Sequence, residues 1–332
     1  MTATLSLPTD IAPDRREIDA AAGRLAGHAR ETPLLSAEAL DRIAGRQVLV
    51  KAECLQHTGS FKFRGAWSAV SALPPAVRAR GVIGSSSGNH AQGLAFAARA
   101  FGAPCTIVMP SDAPAPKIAA TRAFGAEVIL IDRSLGEKRE GHARALADAR
   151  GLTMIPPYDH IHVIAVQGTA GLEIAAAYQG GPAEILVCCG GGGLSAGIAL
   201  ATEADPRLTV RTVEPEGFDD MARSLATGRR VRNAATGGSI CDAILTQSPG
   251  AVTLPVLDRL AGAGLVVTDD ACLAAMALAL RHLKLVLEPG GAAALAAALF
   301  QPDALSTETV IAVATGGNVA DAVLAQALSH PV

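Results

Sequence analysis

Lys62 stands between Phe61 and Phe63 in the run Thr58-Gly59-Ser60-Phe61-Lys62-Phe63-Arg64-Gly65-Ala66. Aromatic rings on both sides desolvate an ammonium, favour the neutral amine and leave a nucleophile suited to Schiff-base chemistry. Taken alone, a lysine in this setting is more often a surface side chain with its stem on apolar ground. A second run, Gly84-Ser85-Ser86-Ser87-Gly88-Asn89-His90, follows an apolar stretch and opens an Ala-rich one. Small residues let backbone N–H groups converge at the positive end of a helix, and a carboxylate fits a turn of this size. A serine N-cap accounts for one of the three serines.

A third run holds four consecutive glycines, Gly190, Gly191, Gly192 and Gly193, before Leu194-Ser195-Ala196. Such a run is costly in chain entropy and makes sense where backbone wraps a phosphate at a helix N-terminus. It also fits the dinucleotide fingerprint through Gly191, Gly193 and Ala196, with Glu214 as the ribose-binding acid, so a nicotinamide-dependent dehydrogenase is the different-class alternative. That alternative leaves the Phe-Lys-Phe segment and the serine turn without a purpose. Ala314-Thr315-Gly316-Gly317-Asn318 offers a neutral hydroxyl among glycines, or is a plain strand–helix turn. Glu214-Pro215-Glu216-Gly217-Phe218-Asp219-Asp220 spaces carboxylates and a loop carbonyl for a hard cation such as Mg²⁺ or Ca²⁺, or is a solvated acidic loop.

These residues need a frame. Apolar runs at 81–86, 104–110, 127–132 and 152–157 alternate with Ala-rich helical segments, which predicts a parallel, doubly wound sheet. Strands at 184–190, 208–215, 264–269 and 309–317, with helices near 168–178, 194–204, 270–283, 291–300 and 319–329, repeat the theme. The expected fold is α/β, with two doubly wound domains of mainly parallel sheets. The smaller spans 80–155 and the larger spans 1–79 plus 156–332, and a site lies in the cleft where strand ends face each other.

Composition agrees. A chain of 332 residues, at about 150 per domain, fits two domains. Hydrophobic residues are 50% and aromatics 3%, so the core is built from Ala, Val, Leu and Ile. The net charge of −3 and the absence of a basic stripe argue against nucleic acid. Arg281 and Lys284 interrupt the apolar stretch 271–287, so no membrane span is expected. The N-terminus lacks the pattern of a secretory signal. The six cysteines form no C-x-x-C pair and read as buried thiols of a cytoplasmic protein. Charged residues at 18% point to little surface per volume or to a buried subunit interface.

Together these parts would hold pyridoxal 5′-phosphate and an amino acid. The chain resembles the pyridoxal-phosphate family of threonine and serine dehydratases and serine racemase, with the tryptophan-synthase-β-like fold. The resemblance runs from RETPLL to ATGGN. It rests on K-x-E-x-x-Q-x-T-G-S-F-K-F-R-G-A, S-S-G-N-H-A-Q-G, the glycine tetrad and E-P-G-G-A-A-A. It implies that Lys62 is the Schiff-base lysine and Cα-proton base, and that Phe61 packs on the cofactor. Asn89 bonds the cofactor's 3′-oxygen, and Gly190 to Gly193 hold its phosphate. Thr315 partners its ring nitrogen. Ser86, Ser87, Gly88, Asn89 and His90 form the substrate-carboxylate turn, with Ser87 as acid/base opposite Lys62. Glu214, the Phe218 carbonyl and Asp220 resemble a site for Mg²⁺ or another divalent cation.

The implied activity is dehydration and deamination of a small β-hydroxy-amino acid: L-threonine to 2-oxobutyrate and ammonia, and L-serine to pyruvate and ammonia. A hydroxyaspartate dehydratase, with Arg133, Lys138 or Arg139 for the second carboxylate, or a serine racemase are the alternatives. A homodimer is implied, and the chain length implies no regulatory C-terminal module. The chain departs from the family's pattern at Thr315 (Ser or Cys is commoner), Ala243 and Val166 (Gly is common) and Cys54 (Asn is common).

Overall fold

The structure is a computed structural model that describes residues 12–86, 88–132 and 139–331. Ten strands are found among the described residues: β1 (Leu34–Ser36), β2 (Gln47–Lys51), β3 (Val82–Ser85), β4 (Cys105–Pro110), β5 (Glu127–Ile131), β6 (Thr153–Met154), β7 (Ala183–Cys188), β8 (Leu208–Pro215), β9 (Leu265–Val267) and β10 (Thr309–Val313). They make a six-stranded sheet in the order β1-β2-β10-β7-β8-β9 and a four-stranded sheet in the order β5-β4-β3-β6. Every pairing is parallel except that of β1 with β2. The unbroken apolar runs follow from this, because strands covered on both faces have no side to leave polar. All residues of β3, β4, β7 and β10 are buried.

The strand expected at 152–157 is shorter than its apolar run. β6 stops at Met154, because Pro156 and Pro157 have no N–H to give a ladder. Sequence periodicity also passed over several helices, among them Lys62–Ser71, Ile161–Gln167 and Asp220–Thr227. The first of these decides the site. It crosses the helix Asn89–Ala100, where a Cβ on Gly93 would meet the Lys62 carbonyl oxygen at 3.2 Å. Its Ala66 and Val70, with Leu73 just beyond its end, pack into one cluster with Val82, Leu94, Ile107 and Met109 of the smaller sheet's unit. The helix carrying Lys62 thus packs on the smaller sheet, although it precedes residue 80.

The six-stranded sheet is covered on both faces. Helices Asp269–Leu278 and Pro289–Phe300 cover one face, and Thr169–Ala177 and Gly193–Thr202 the other. Pro289–Phe300 is buried along nearly its whole circumference, with every residue from Pro289 to Leu299 buried, as expected of a helix without a polar face. Helix Gly193–Thr202 approaches helix Ile161–Gln167 so closely that a Cβ on Gly197 would press on the Ile164 carbonyl and lie 2.6 Å from the Gly168 backbone nitrogen. Both neighbours are backbone and cannot swing aside. Gly197→Ala is therefore expected to lose about 1–3 kcal/mol in a denaturant melt, with an unchanged m-value. A midpoint equal to that of the parent would mean that the helices have room to part.

Candidate active site

Lys62 begins its helix and reaches into a cleft of about 430 Å³ at the strand ends of both sheets. Its Nζ donates to the Pro157 carbonyl at 2.8 Å and lies 5.0 Å from the centre of the Phe61 ring. Burial pulls its pKa down to about 8. Two residues on, Arg64 anchors the same helix turn in a buried ionic cluster. Its guanidinium grips Glu53 at 2.7 and 2.9 Å and Glu173 at 2.5 and 2.8 Å. Lys51 adds a second cation, 2.5 Å from Glu173. Burial works against the charge of Glu53, yet Arg64 outweighs it and leaves the Glu53 carboxyl below its ordinary pKa.

Across the cleft, Gly190 to Gly193 join β7 to the helix Gly193–Thr202. Gly192 has φ +88°, and a Cβ there would meet the Thr253 hydroxyl at 2.9 Å. A Cβ on Gly191 would enter the ring of Tyr158. The first N–H groups of this helix have no intrahelical carbonyl to reach, so the cup faces the cleft with free donors. Thr246, beside Gly190, adds a buried hydroxyl that finds no partner among the described residues. The Ser85 hydroxyl, on the facing wall, is in the same condition.

The serine turn closes the smaller-sheet side. Ser86, Gly88, Asn89 and His90 all line the cleft; Ser87 lies outside the described residues, as do Arg133 and Lys138. His90 brings no charge to it. Burial drives its pKa down to about 3, and its Nε2 lies 3.0 Å from the Ile155 carbonyl. A carbonyl only accepts, so Nε2 carries the proton. Asn89 donates from Nδ2 to Glu288 and accepts at Oδ1 from Asn318 at 2.8 Å.

Glu288, Lys117, Asp242 and Asn318 were not singled out by the sequence reasoning. Lys117 donates to Asp242 at 2.8 Å and to Glu288 at 3.4 Å. Burial works against its charge, but the two carboxylates more than offset this and hold its pKa above the ordinary value. Its stem lies against the serine turn, 3.0 Å from where a Cβ on Gly88 would sit. Glu288 and Asn318 stood inside quoted motifs, E-P-G-G-A-A-A and A-T-G-G-N. Lys117 and Asp242 carry no local signal, since only the fold brings the helix Ala115–Ala123 against the 241–246 loop. Thr315 is buried just past the end of β10 and lines the cleft beside Cys188.

The acidic loop stands behind the cup. Glu214 receives N–H bonds from Met221 at 2.9 Å and Ala222 at 2.7 Å. Asp220 accepts from Asn233 at 2.5 Å through Oδ1, while its buried Oδ2 has no partner among the described residues. Burial pushes Glu214 well above the usual carboxylate range and Asp220 up to about 6. No group of three or more His, Cys, Asp or Glu side chains converges for a metal among the described residues. A site here would need the Phe218 carbonyl as its third ligand.

Residues 25–316 match the family model described as "Pyridoxal-phosphate dependent enzyme". The chain belongs to that family. It is 44% identical over 300 residues to an L-threo-3-hydroxyaspartate ammonia-lyase from Pseudomonas sp., covering 90% of this chain and 93% of the relative. A crystal structure of threonine deaminase from T.th. superimposes with a TM-score of 0.85 at 42% identity, over 92% of this chain and 98% of that one. The structure of maize serine racemase gives a TM-score of 0.88 at 33% identity, over 96% and 97%. The dehydrogenase alternative falls here: the family's cofactor is pyridoxal phosphate, and each Glu214 oxygen accepts a backbone N–H of the next helix. No helix among the described residues is long and apolar enough to cross a membrane.

The residues present fit pyridoxal phosphate. The glycine cradle leaves no room for side chains, unpartnered hydroxyls stand beside it, and the Lys62 amine opens on the same cleft. At pH 8 an amine with a pKa of about 8 is half neutral, where an ordinary lysine is below about 1% neutral. Cofactor uptake by the apoenzyme, followed by its visible absorption, is therefore expected to speed up with pH and to level off above about pH 8. A rate still climbing tenfold per unit toward pH 10 would put Lys62 in an ordinary lysine environment.

Proposed function

We propose that this enzyme dehydrates and deaminates a small β-hydroxy-amino acid, L-threonine to 2-oxobutyrate and ammonia and L-serine to pyruvate and ammonia. The observation that carries the reading is a lysine amine with a pKa lowered to about 8, opening on the cleft shared by the glycine cup and the serine turn. Bound pyridoxal phosphate supplies an aldehyde that bonds the substrate's amine and a ring that withdraws electrons from Cα. Gly190 to Gly193 hold its phosphate, Asn89 donates to its 3′-oxygen, Thr315 offers a hydroxyl to its ring nitrogen and Phe61 packs against it. The N–H groups of Ser86 to His90 hold the substrate carboxylate. Lys62, as a neutral amine, takes the Cα proton and becomes an ammonium, and the β-hydroxyl takes a proton from that ammonium or from Ser87 and leaves as water. Ser87 would serve the opposite-face proton in a racemase reaction.

A second reading, L-threo-3-hydroxyaspartate, is supported by Lys117 and Arg139 in the cleft wall, where a second carboxylate needs a cation. A panel of L-threonine, L-serine and L-threo-3-hydroxyaspartate, scoring oxo acid, ammonia and inverted amino acid separately, ranks the readings. Lys62→Ala is expected to remove all elimination while the glycine cup still takes up the cofactor. Substantial oxo acid from that variant would overturn the role of Lys62.

We also propose that Glu214, the Phe218 carbonyl and Asp220 hold Mg²⁺ or another divalent cation. The support is a pair of buried carboxylates, one with an unpartnered oxygen. A cation at one hundred times its Kd would add about 2.7 kcal/mol to folding. Chelation should therefore lower the melting temperature by several degrees, with Mg²⁺ restoring it. An unmoved melting temperature would make this a capped, acidic loop only. The homodimer and the cytoplasm belong to the same proposal. Exposed Leu55 and Val286 support the dimer, and six buried free thiols suit a reducing compartment. The division into 80–155 and 1–79 plus 156–332 is also proposed; the separate strand sets of the two sheets support it, while the helix Lys62–Ser71 packs on the smaller sheet.

A further inference from the structure

Asn318 closes the A-T-G-G-N run, yet nothing in the proposed reaction uses it. Its side chain lies between two motifs that are far apart in sequence. Nδ2 donates to the Thr58 carbonyl at 2.8 Å and to Asn89 Oδ1 at 2.8 Å. The Thr58 carbonyl can only accept, so it fixes which end of the Asn318 amide faces inward. The Thr58-Gly59 segment is shaped for this contact. Thr58 has φ 60°, uncommon for a residue with a side chain. A Cβ on Gly59 would lie 2.6 Å from Asn318 Oδ1. The two segments are also paired through backbone, Gly317 N to Gly59 O at 2.9 Å and Phe61 N to Thr315 O at 3.1 Å. Asn318 therefore sits in a rigid frame.

The orientation passes on to Asn89. With Oδ1 held by Asn318, Nδ2 points to Glu288, which accepts one of its two hydrogens. The reversed amide would set oxygen against the Glu288 carboxylate and nitrogen against the Asn318 nitrogen, two mismatches at once. Lys117 holds the other Glu288 oxygen from 3.4 Å, so Glu288 does not yield either. We infer that Asn318 is a positioning residue: it locks the Asn89 amide with its N–H side, not its carbonyl, toward the cofactor's ring oxygen. This rests on the reading that Asn89 meets that oxygen. An amide free to turn would offer an acceptor to an oxygen that is itself an acceptor, and the cofactor's electronic state would change.

The test compares parent holoenzyme with Asn89→Ala, Asn318→Ala, Asn318→Asp and the double variant Asn89→Ala/Asn318→Ala. The readouts are the visible absorption band of the bound cofactor, the cofactor's dissociation constant from the apo forms, and the melting temperature. Asn89→Ala is expected to shift the band and weaken binding. Asn318→Ala should shift the band in the same direction and weaken binding about fivefold, the worth of one neutral hydrogen bond. In the Asn89→Ala background it should add nothing to either. Asn318→Asp keeps the size but sets an acceptor against the Thr58 carbonyl, and should match or exceed Asn318→Ala. If Asn318→Ala does not fold, Asn318→Ser carries the same comparison.

A silent Asn89→Ala would remove the reading that Asn89 meets the cofactor, and the inference with it. A shifted band in Asn89→Ala beside an unshifted one in both Asn318 variants would overturn the inference alone. So would effects that simply add in the double variant.

Discussion

Arg64 carries its charge where water does not reach it, and the placement of the reactive lysine depends on that charge being held. Its guanidinium is 1% exposed and Glu53 is not exposed at all. Removing one member of such a cluster leaves a buried charge without its partner, at a cost of about 3–5 kcal/mol, a large share of the roughly 5–15 kcal/mol by which a domain is stable. The cluster ties three parts of the chain: the 3₁₀ turn Glu53–Leu55, the first turn of Lys62–Ser71 and the helix Thr169–Ala177. Lys62 is two residues from Arg64, so the two side chains leave the helix on different sides. One side is clamped into ionic contacts, and the other is left to reach the cleft. Clamping through charge-assisted bonds gives the Lys62 backbone little freedom, and a reacting amine must be placed to within a fraction of an ångström.

The same logic governs the cleft wall. Lys117 sits between Asp242 and Glu288, and Glu288 in turn accepts from Asn89. Lys117 comes from the smaller sheet's unit, whereas both carboxylates flank the larger sheet. One ion-pair set therefore crosses the cleft and helps to fix the serine turn relative to the A-T-G-G-N turn. Burial alone would raise Glu288 and lower Lys117; together they keep the ammonium charged beside the turn proposed for the substrate carboxylate.

Much of this was legible in the sequence, for a physical reason. The Phe-Lys-Phe segment, the serine turn, the glycine tetrad and Thr315 are each local devices whose chemistry is contained in a few consecutive residues, and Phe61, Lys62, the described serine-turn residues, the four glycines and Thr315 line a single cleft. Parallel strands were legible too, because burial on both faces writes itself as an unbroken apolar run, as in β4 and β7. What escaped was whatever depends on two distant segments meeting. Lys117 reads as an ordinary helix lysine until the fold brings Asp242 to it. Glu53 and Glu173 look like surface carboxylates until Arg64 is seen between them. The helix Lys62–Ser71 was missed because its residues bury two faces, one toward the smaller sheet and one toward the ionic cluster, which blurs a single apolar stripe. His90 stands in the serine turn with a ring that burial leaves neutral and engaged with Ile155, so what it offers an anion is its backbone N–H.

Thr315 bears on why elimination is the outcome to expect from such a site. A hydroxyl can donate to a neutral ring nitrogen, but it cannot hold a proton there as a carboxylate does. Next to it, burial pushes the Cys188 thiol up to about 11 and the thiol donates to the Val313 carbonyl, so no anion stands at that position. On the proposed reading, a ring held by such a neutral partner would withdraw less charge from the substrate, and proton removal at Cα by Lys62 would favour expelling a group from Cβ. A β-hydroxyl provides that group. Inversion would instead require a proton returned to Cα, from a donor on the face opposite Lys62. If Thr315 is the nitrogen partner proposed for it, its neutral hydroxyl would favour loss of water, and the serine turn would decide whether the slower alternative is available at all.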